Sequence, residues 1–160
     1  MAVDMFLKIG DIKGESKDDA HADEIDVVNW DWGVSNSGSM HSGGGGGTGK
    51  SSVRDLSIVK YVDSSSPNLF RLCCSGDHVS DAVLTVRKSG GKPLEYLIIQ
   101  LKKVMVTSVS TGGGSDDDRI VETITLNFAE CEVKYTPQAD DGTPLAEIPA
   151  GYNIEANTTS

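Results

Sequence analysis

Leu94 to Ser110 reads LEYLIIQLKKVMVTSVS, and Arg119 to Tyr135 reads RIVETITLNFAECEVKY. Both runs are rich in β-branched residues, which suit a pleated, half-buried surface. Gly112 to Asp118 lies between them and supplies a turn, so the two runs predict a pair of long strands. Each is longer than the usual strand of ~5–6 residues. Strands that outrun their own core have surface left for a neighbour.

Working upstream, Ser89 to Pro93 is a second turn and Ala82 to Lys88 (AVLTVRK) a strand before it, so this half of the chain reads as a meander. Ala2 to Ile9 predicts a first strand, with Met5, Leu7 and Ile9 on one face and Phe6 and Lys8 on the other. Asp11 to Glu24 is polar and reads as a loop. Ile25 to Val34 (IDVVNWDWGV) predicts one strand, with Val28, Trp30 and Trp32 on one face and Asn29, Asp31 and Gly33 on the other. Arg54 to Val62 alternates again, with Leu56, Ile58 and Val62 together. Tyr152 to Ala156 offers a last short strand, and Pro137, Pro144 and Pro149 predict irregular chain between them.

One helix is predicted. Ser66 serves as N-cap, Pro67 as the first helical residue and Gly76 as the stop. Leu69, Phe70, Leu72, Cys73 and Cys74 supply its apolar face. Many strands and one short helix make a mainly β fold, an antiparallel barrel or sandwich. The 160 residues suggest a single domain, residues 1–160, with a Gly/Ser-rich loop at about 35–52.

The charge is acidic, 24 Asp+Glu against 14 Lys+Arg, a net of -10. Nucleic-acid affinity rests on basic residues neutralising phosphates, so a nucleic-acid partner is not expected. No apolar run is long enough for a membrane helix, so membrane insertion is not expected. The N-terminal MAVDMFLKIG has no continuous apolar core of a secretory signal, which predicts synthesis in the cytosol. Cys73, Cys74 and Cys131 are odd in number and two are adjacent, so they predict reduced, buried thiols rather than a disulfide framework.

Gly44 to Ser51 (GGGGTGKS) fits the P-loop pattern G-x-x-x-x-G-K-[ST] letter for letter. Phosphate binding there needs a strand before the loop and a helix beginning at the Lys, whose N-terminus supplies the field. Ser35 to Ser42 does not read as a strand, and Val53 to Asp63 alternates like a strand rather than a helix. A nucleotide-binding protein is therefore the alternative reading. Asp116, Asp117 and Asp118 lack the spacing of a calcium loop. His21, His41 and His78 have no metal-ligand spacing and predict surface histidines. Cys73 and Cys74 sit near a helix C-terminus, where the dipole disfavours a thiolate. No catalytic residue, cofactor or metal is expected.

In MAVDMFLKIGDIKGES, WDWGVSNSGSMHSGGGGGTGK, DLSIVKYVDSSSPNLF, LTVRKSGGKPLEYLIIQLKKVMVTSVSTGG and RIVETITLNFAECEVKYTPQ, the chain closely resembles the Hcp (haemolysin-coregulated protein) family of bacterial type VI secretion systems. The order and spacing of these blocks carry the resemblance along nearly the whole chain. It implies a β-barrel of two sheets with one short α-helix, assembled as a homohexameric ring. Stacked rings form a tube inside a contractile sheath, capped by a spike protein. The tube is assembled in the cytoplasm and then secreted to the extracellular space or a target cell without a cleaved signal peptide. Some family members bind effector proteins in the lumen.

The resemblance also assigns residues. Asn29 and Asp31 are implied on the pore face, Asp31 as a ring of carboxylates. Ser42, Gly43, Gly44, Gly45, Gly46, Gly47, Thr48, Gly49 and Lys50 fall in the extended loop that reaches an adjoining ring or subunit. Pro67, Leu69, Phe70, Leu72 and Cys73 fall in the helix. Six chains at -10 each carry -60 formally, which predicts association that improves as salt screens charge and a preference for basic cargo. An extracellular adhesin or carbohydrate-binding sandwich is a third reading, disfavoured by the missing signal.

Overall fold

The strands, in chain order, are β1 (Val3–Ile9), β2 (Ile25–Asp26), β3 (Asn29–Asp31), β4 (Val34–Asn36), β5 (Ser51–Val53), β6 (Leu56–Tyr61), β7 (His78–Lys88), β8 (Leu94–Gly112), β9 (Val121–Tyr135), β10 (Ile148–Asn153) and β11 (Thr158–Thr159). Helix α1 (Ser66–Ser75) lies between β6 and β7. The computed structural model describes residues 2–41 and 50–160.

The long pair read from the sequence, β8 and β9, organises the rest. The two pair antiparallel from Leu97↔Tyr135 to Gly112↔Val121. On the far side of β8 lie β7 and then β1. The other edge of β9 is divided. Its first half, Val121 to Leu126, pairs with β6, and its second half, Glu130 to Tyr135, pairs with β10. β2 joins β1 and β3 joins β6. Since β2 and β3 belong to one short stretch of chain, the circuit β1–β7–β8–β9–β6–β3/β2 closes on itself. The result is an antiparallel barrel, with β10 and β11 extending the sheet beyond the point of closure.

Inward residues fill the barrel by alternation. Leu7, Ile9, Leu56, Ile58, Leu84, Ile99, Leu101, Ile124 and Leu126 are all buried. Each such side chain contributes about 1.5–3 kcal/mol of apolar burial. α1 packs on β8 with Leu69 in the core and Leu72 and Cys73 against it. Gly76 ends the helix in the left-handed region, φ 73°, with its N–H donating to the Leu72 carbonyl at 3.0 Å.

Several sequence expectations change. Ile25 to Val34 is three short strands rather than one. Ile25 and Val27 point inward, Val28 and Asn29 are both exposed, and Trp30 and Trp32 then pack against the core. The alternation slips where the chain passes from β1 to β6, so Val28 does not share the tryptophans' face. Just beyond β6, Val62 is 40% exposed, and the inward position in its phase is Lys60, fully buried. Lys60 Nζ meets Glu122 Oε2 at 2.7 Å, Asp63 Oδ1 at 3.1 Å and Ser66 Oγ at 3.1 Å. Phe6 is buried too, because residues 11–24 cover the outer face of β1 there.

The helix N-cap is Ser65, one residue before the expected Ser66, whose hydroxyl accepts the Asp63 N–H instead. Phe70 is 62% exposed and Cys74 is exposed, so neither belongs to the buried helix face. Cys131 is buried as expected, and burial pushes its thiol pKa up despite the Tyr152 carbonyl contact. Val34–Asn36 and Ser51–Val53 pair as a separate two-stranded hairpin inside the stretch predicted to be loop. Pro149 lies within β10 rather than in irregular chain, a position that an edge strand tolerates.

Candidate functional site

The closure of the barrel fixes which residues line its outer face across β3, β6, β9 and β8. The register sets Asp31 beside Ser57, Ser57 beside Thr125, and Thr125 beside Ser108. One step along, Asn29 stands beside Val59, Val59 beside Thr123, and Thr123 beside Ser110. Between these rows runs the inward row Trp30, Ile58, Ile124 and Val109, which packs against or within the core. The outward rows are therefore small and hydroxyl-rich. Asn29 and Asp31, the two residues singled out from the sequence, sit together at one margin of this wall, both exposed.

A bulge in β8 between Val106 and Ser108 adds a hydroxyl to the wall. The extra residue lets both Thr107 and Ser108 reach Thr125, at 2.7 Å and 2.6 Å. Thr107 Oγ1 also donates to Asp55 Oδ2 at 2.7 Å, and Asn127 Nδ2 donates to Asp55 Oδ1 at 2.8 Å. The wall is thus knitted by its own side chains.

Asp31 is not a free carboxylate. Arg54 Nη1 lies 3.1 Å from Asp31 Oδ2. Arg54 is held there locally. Its N–H donates to the Gly33 carbonyl at 2.9 Å, and Trp32 Nε1 donates to the Arg54 carbonyl at 2.9 Å. A Cβ on Gly33 would stand 2.6 Å from Arg54 Nη2, so a larger residue there would push the guanidinium from its present place. The sequence reading missed Arg54. The pairing of Trp32-Gly33 with a basic residue at the start of the next alternating run was its available signal. With both side chains more than half exposed, the pair is worth at most about 1 kcal/mol. Its effect is local: the Arg54 guanidinium offsets the Asp31 carboxylate at this margin of the wall.

Nothing in this arrangement activates a nucleophile or holds a proton for transfer. Among the described residues no group of three or more His, Cys, Asp or Glu is disposed to hold a metal, and no helix is long and apolar enough to cross a membrane.

The other predicted site is the glycine-rich loop. Ser42 to Gly49 lies outside the described residues. Its stem is the β4–β5 hairpin, where Val34 is 65% exposed and Met40, beyond β4, is 84% exposed. Lys50 is exposed, and its carbonyl accepts the Ser37 N–H at 3.4 Å. Lys50 leads directly into β5, so the helix N-terminus that a P-loop requires does not follow it. Of the helix residues, Leu69 is buried, Leu72 and Cys73 are half-buried, and Pro67 and Phe70 face solvent.

Comparison with known proteins identifies the family. Residues 6–135 match the family model described as type VI secretion system effector, Hcp. The chain is 59% identical over 159 residues to protein hcp1 of Pseudomonas aeruginosa, covering 98% of both. A solved structure of a type six secretion system protein superposes with a TM-score of 0.93 at 29% identity, covering 99% of this chain and 100% of that one. The crystal structure of Hcp1 from Salmonella typhimurium superposes with a TM-score of 0.80 at 38% identity, over the full length of both chains. With its closed barrel, its short helix and a family match that takes in both long strands, the chain belongs to the Hcp family of type VI secretion system effectors.

Proposed function

We propose that this chain is the repeating unit of a secretion tube: a homohexameric ring whose lumen is lined by the hydroxyl-rich wall and which carries effector proteins passively. The observation that supports this most is the wall itself. Its hydroxyl side chains, bonded largely to one another and to the Asp55 carboxylate, offer a passing protein few unsatisfied groups to grip. Asn29 and Asp31 stand at its margin as the pore-facing candidates, with Asp31 paired to Arg54 rather than bare.

A ring needs a head-to-tail contact between two different patches on each protomer. Two exposed apolar patches lie near opposite ends of β9. Val62 and Ile120, whose backbones bond at 2.9 Å, lie near its start, and Tyr135 and Ile148, directly paired, lie at its end. The strand's 15 residues separate them by about 45 Å. The hairpin stem with exposed Val34 supports the docking role for the loop Ser42–Lys50, which reaches the next ring. Ring stacks joined to a spike protein, a contractile sheath and cargo complete the reading, with export that uses no cleaved signal peptide.

Mixing tests the contact. Val62→Glu and Ile148→Glu each leave the barrel folded and abolish the ring. Mixed in equal amounts they retain one intact contact between them, so sedimentation velocity detects a heterodimer that neither forms alone. Rings that survive both substitutions refute the assignment.

A further inference from the structure

Residues 11–24 lie as a strap over the outer face of β1, β7 and β8, and nothing in the ring reading calls on them. The centre of the strap is His21, 8% exposed, where the sequence predicted a surface histidine. Its ring stacks on Phe6 at 4.4 Å between centroids with 10° between planes. Nδ1 lies 2.8 Å from Glu24 Oε2, on the strap itself, and Nε2 lies 2.6 Å from Glu95 Oε1, on β8. A second tie lies alongside: Arg87 on β7 reaches Asp18 of the strap at 2.5 Å and Asp4 of β1 at 3.2 Å, with its guanidinium 5.0 Å from the Phe6 ring centre.

A neutral imidazole has one N–H and one lone pair, and an ionised carboxylate only accepts. Two carboxylate contacts from one ring are both hydrogen bonds only when both nitrogens carry hydrogen. Removing the proton turns one of them into a lone pair facing a carboxylate oxygen in a site with little water, which is repulsive and leaves a polar atom unsatisfied. We propose that residues 11–24 form a proton-held clasp, in which the His21 imidazolium ties the strap to β8 through Glu95 and loss of its proton frees the strap from Phe6.

The charges of this face agree. Asp18 and Glu24 on the strap, Asp4 on β1, Asp26 on β2 and Glu95 on β8 supply five carboxylates, against Arg87 on β7 and Lys8 on β1. Burial first, and then Asp63, raises the pKa of Asp26, against the pull of Arg119, and Asp18 and Asp4 add to the rise. The imidazolium is the cation that this crowd lacks. For His21, burial pushes the pKa down, but the hydrogen bonds to Glu95 and Glu24 outweigh it and the net direction is up. A raised folded-state value means that the clasp is fully held below the free histidine value of about 6.5 and is lost as pH rises through the folded value. The device therefore opens on the alkaline side.

Hydrogen exchange of the full-length protein across pH 6 to 10, corrected for intrinsic rates, tests this. Strap amides lose protection relative to β8 and β9 by about tenfold per pH unit above about 6.5, then level off once the closed clasp has lost its proton. In His21→Gln, which has nothing to titrate, that slope is absent. Imidazole 15N shifts of the wild type give a second readout that needs no variant. His21 stays protonated above the free histidine value of about 6.5. A His21 ring that loses its proton at or below that value, or a wild-type slope equal to that of His21→Gln, overturns the clasp.

Discussion

Replacing Lys60 by Met should destabilise the barrel by about 3–5 kcal/mol, the cost of breaking a buried ion pair from one side. The structure sets this size. Lys60 is fully buried and Glu122 is 1% exposed, with 2.7 Å between Nζ and Oε2. Methionine matches the stem of Lys60 but leaves Glu122 with only the Ser66 hydroxyl, which donates to Oε2 at 2.6 Å. Asp63 loses a cation at 3.1 Å but keeps the Ser65 backbone N–H at 2.9 Å. For a chain of this length each kcal/mol moves Tm by about 2–4 °C, so the expected loss is roughly 6–20 °C. Replacing both partners, Lys60→Met with Glu122→Leu, should recover most of that loss, because a packed apolar pair needs no compensation. Urea unfolding at one fixed protomer concentration measures all four corners of the cycle, which keeps ring formation from shifting the comparison. A single variant that loses less than about 1 kcal/mol, or a double variant as unstable as the two singles added together, refutes the reasoning.

Three further outcomes are expected. Gly76→Ala should cost about 1–2 kcal/mol in urea unfolding from its left-handed backbone alone, since the added Cβ meets only Met105 Cε at 3.6 Å; Gly76→Asn should cost less. The Arg87 hydrogen bond holds the Asp18 carboxyl at about 2. Its stabilising effect is present above the unfolded value near 3.8 and disappears as pH falls through about 2, so Asp18→Asn should flatten the acid limb of a stability–pH curve. Shortening Gly43 to Gly47 should weaken ring stacking, seen as shorter tubes, and leave thermal unfolding of the protomer unchanged.

The sequence was most legible where period and packing agree. β8 and β9 are rich in β-branched residues over many positions and bounded by turn signals, and they turned out to be the central pair of the large sheet. The helix boundaries came from Pro67, which fixes φ, and Gly76, which is free to take the left-handed backbone, and both act locally. Its buried face did not, because apolar residues were grouped without their angle: Leu69, Leu72 and Cys73 fall at i, i+3 and i+4, while Phe70 is turned about 100° away.

Lys60 drew no expectation from the sequence, for a different reason. A lysine on an alternating strand reads as solvent-facing, and its partner Glu122 is 62 positions away. His21 is the same case, bonded to Glu95 across 74 positions. The slip at Val28 and Asn29 reflects closure of the barrel, a property of three strands that no single segment carries. The wall was half legible: alternation with Trp30 and Trp32 placed Asn29 and Asp31 outward, but Ser57, Thr125 and Ser108 join them only through register.

Negative-stain electron microscopy of the purified protein, with mass photometry on the same sample, tests the central claim most directly. Six chains of 16.9 kDa make a particle of about 101 kDa. That mass is expected, with six-fold rings open at the centre, formed more completely as salt is raised. A single species near 16.9 kDa at every salt concentration, with no rings in the images, would contradict it.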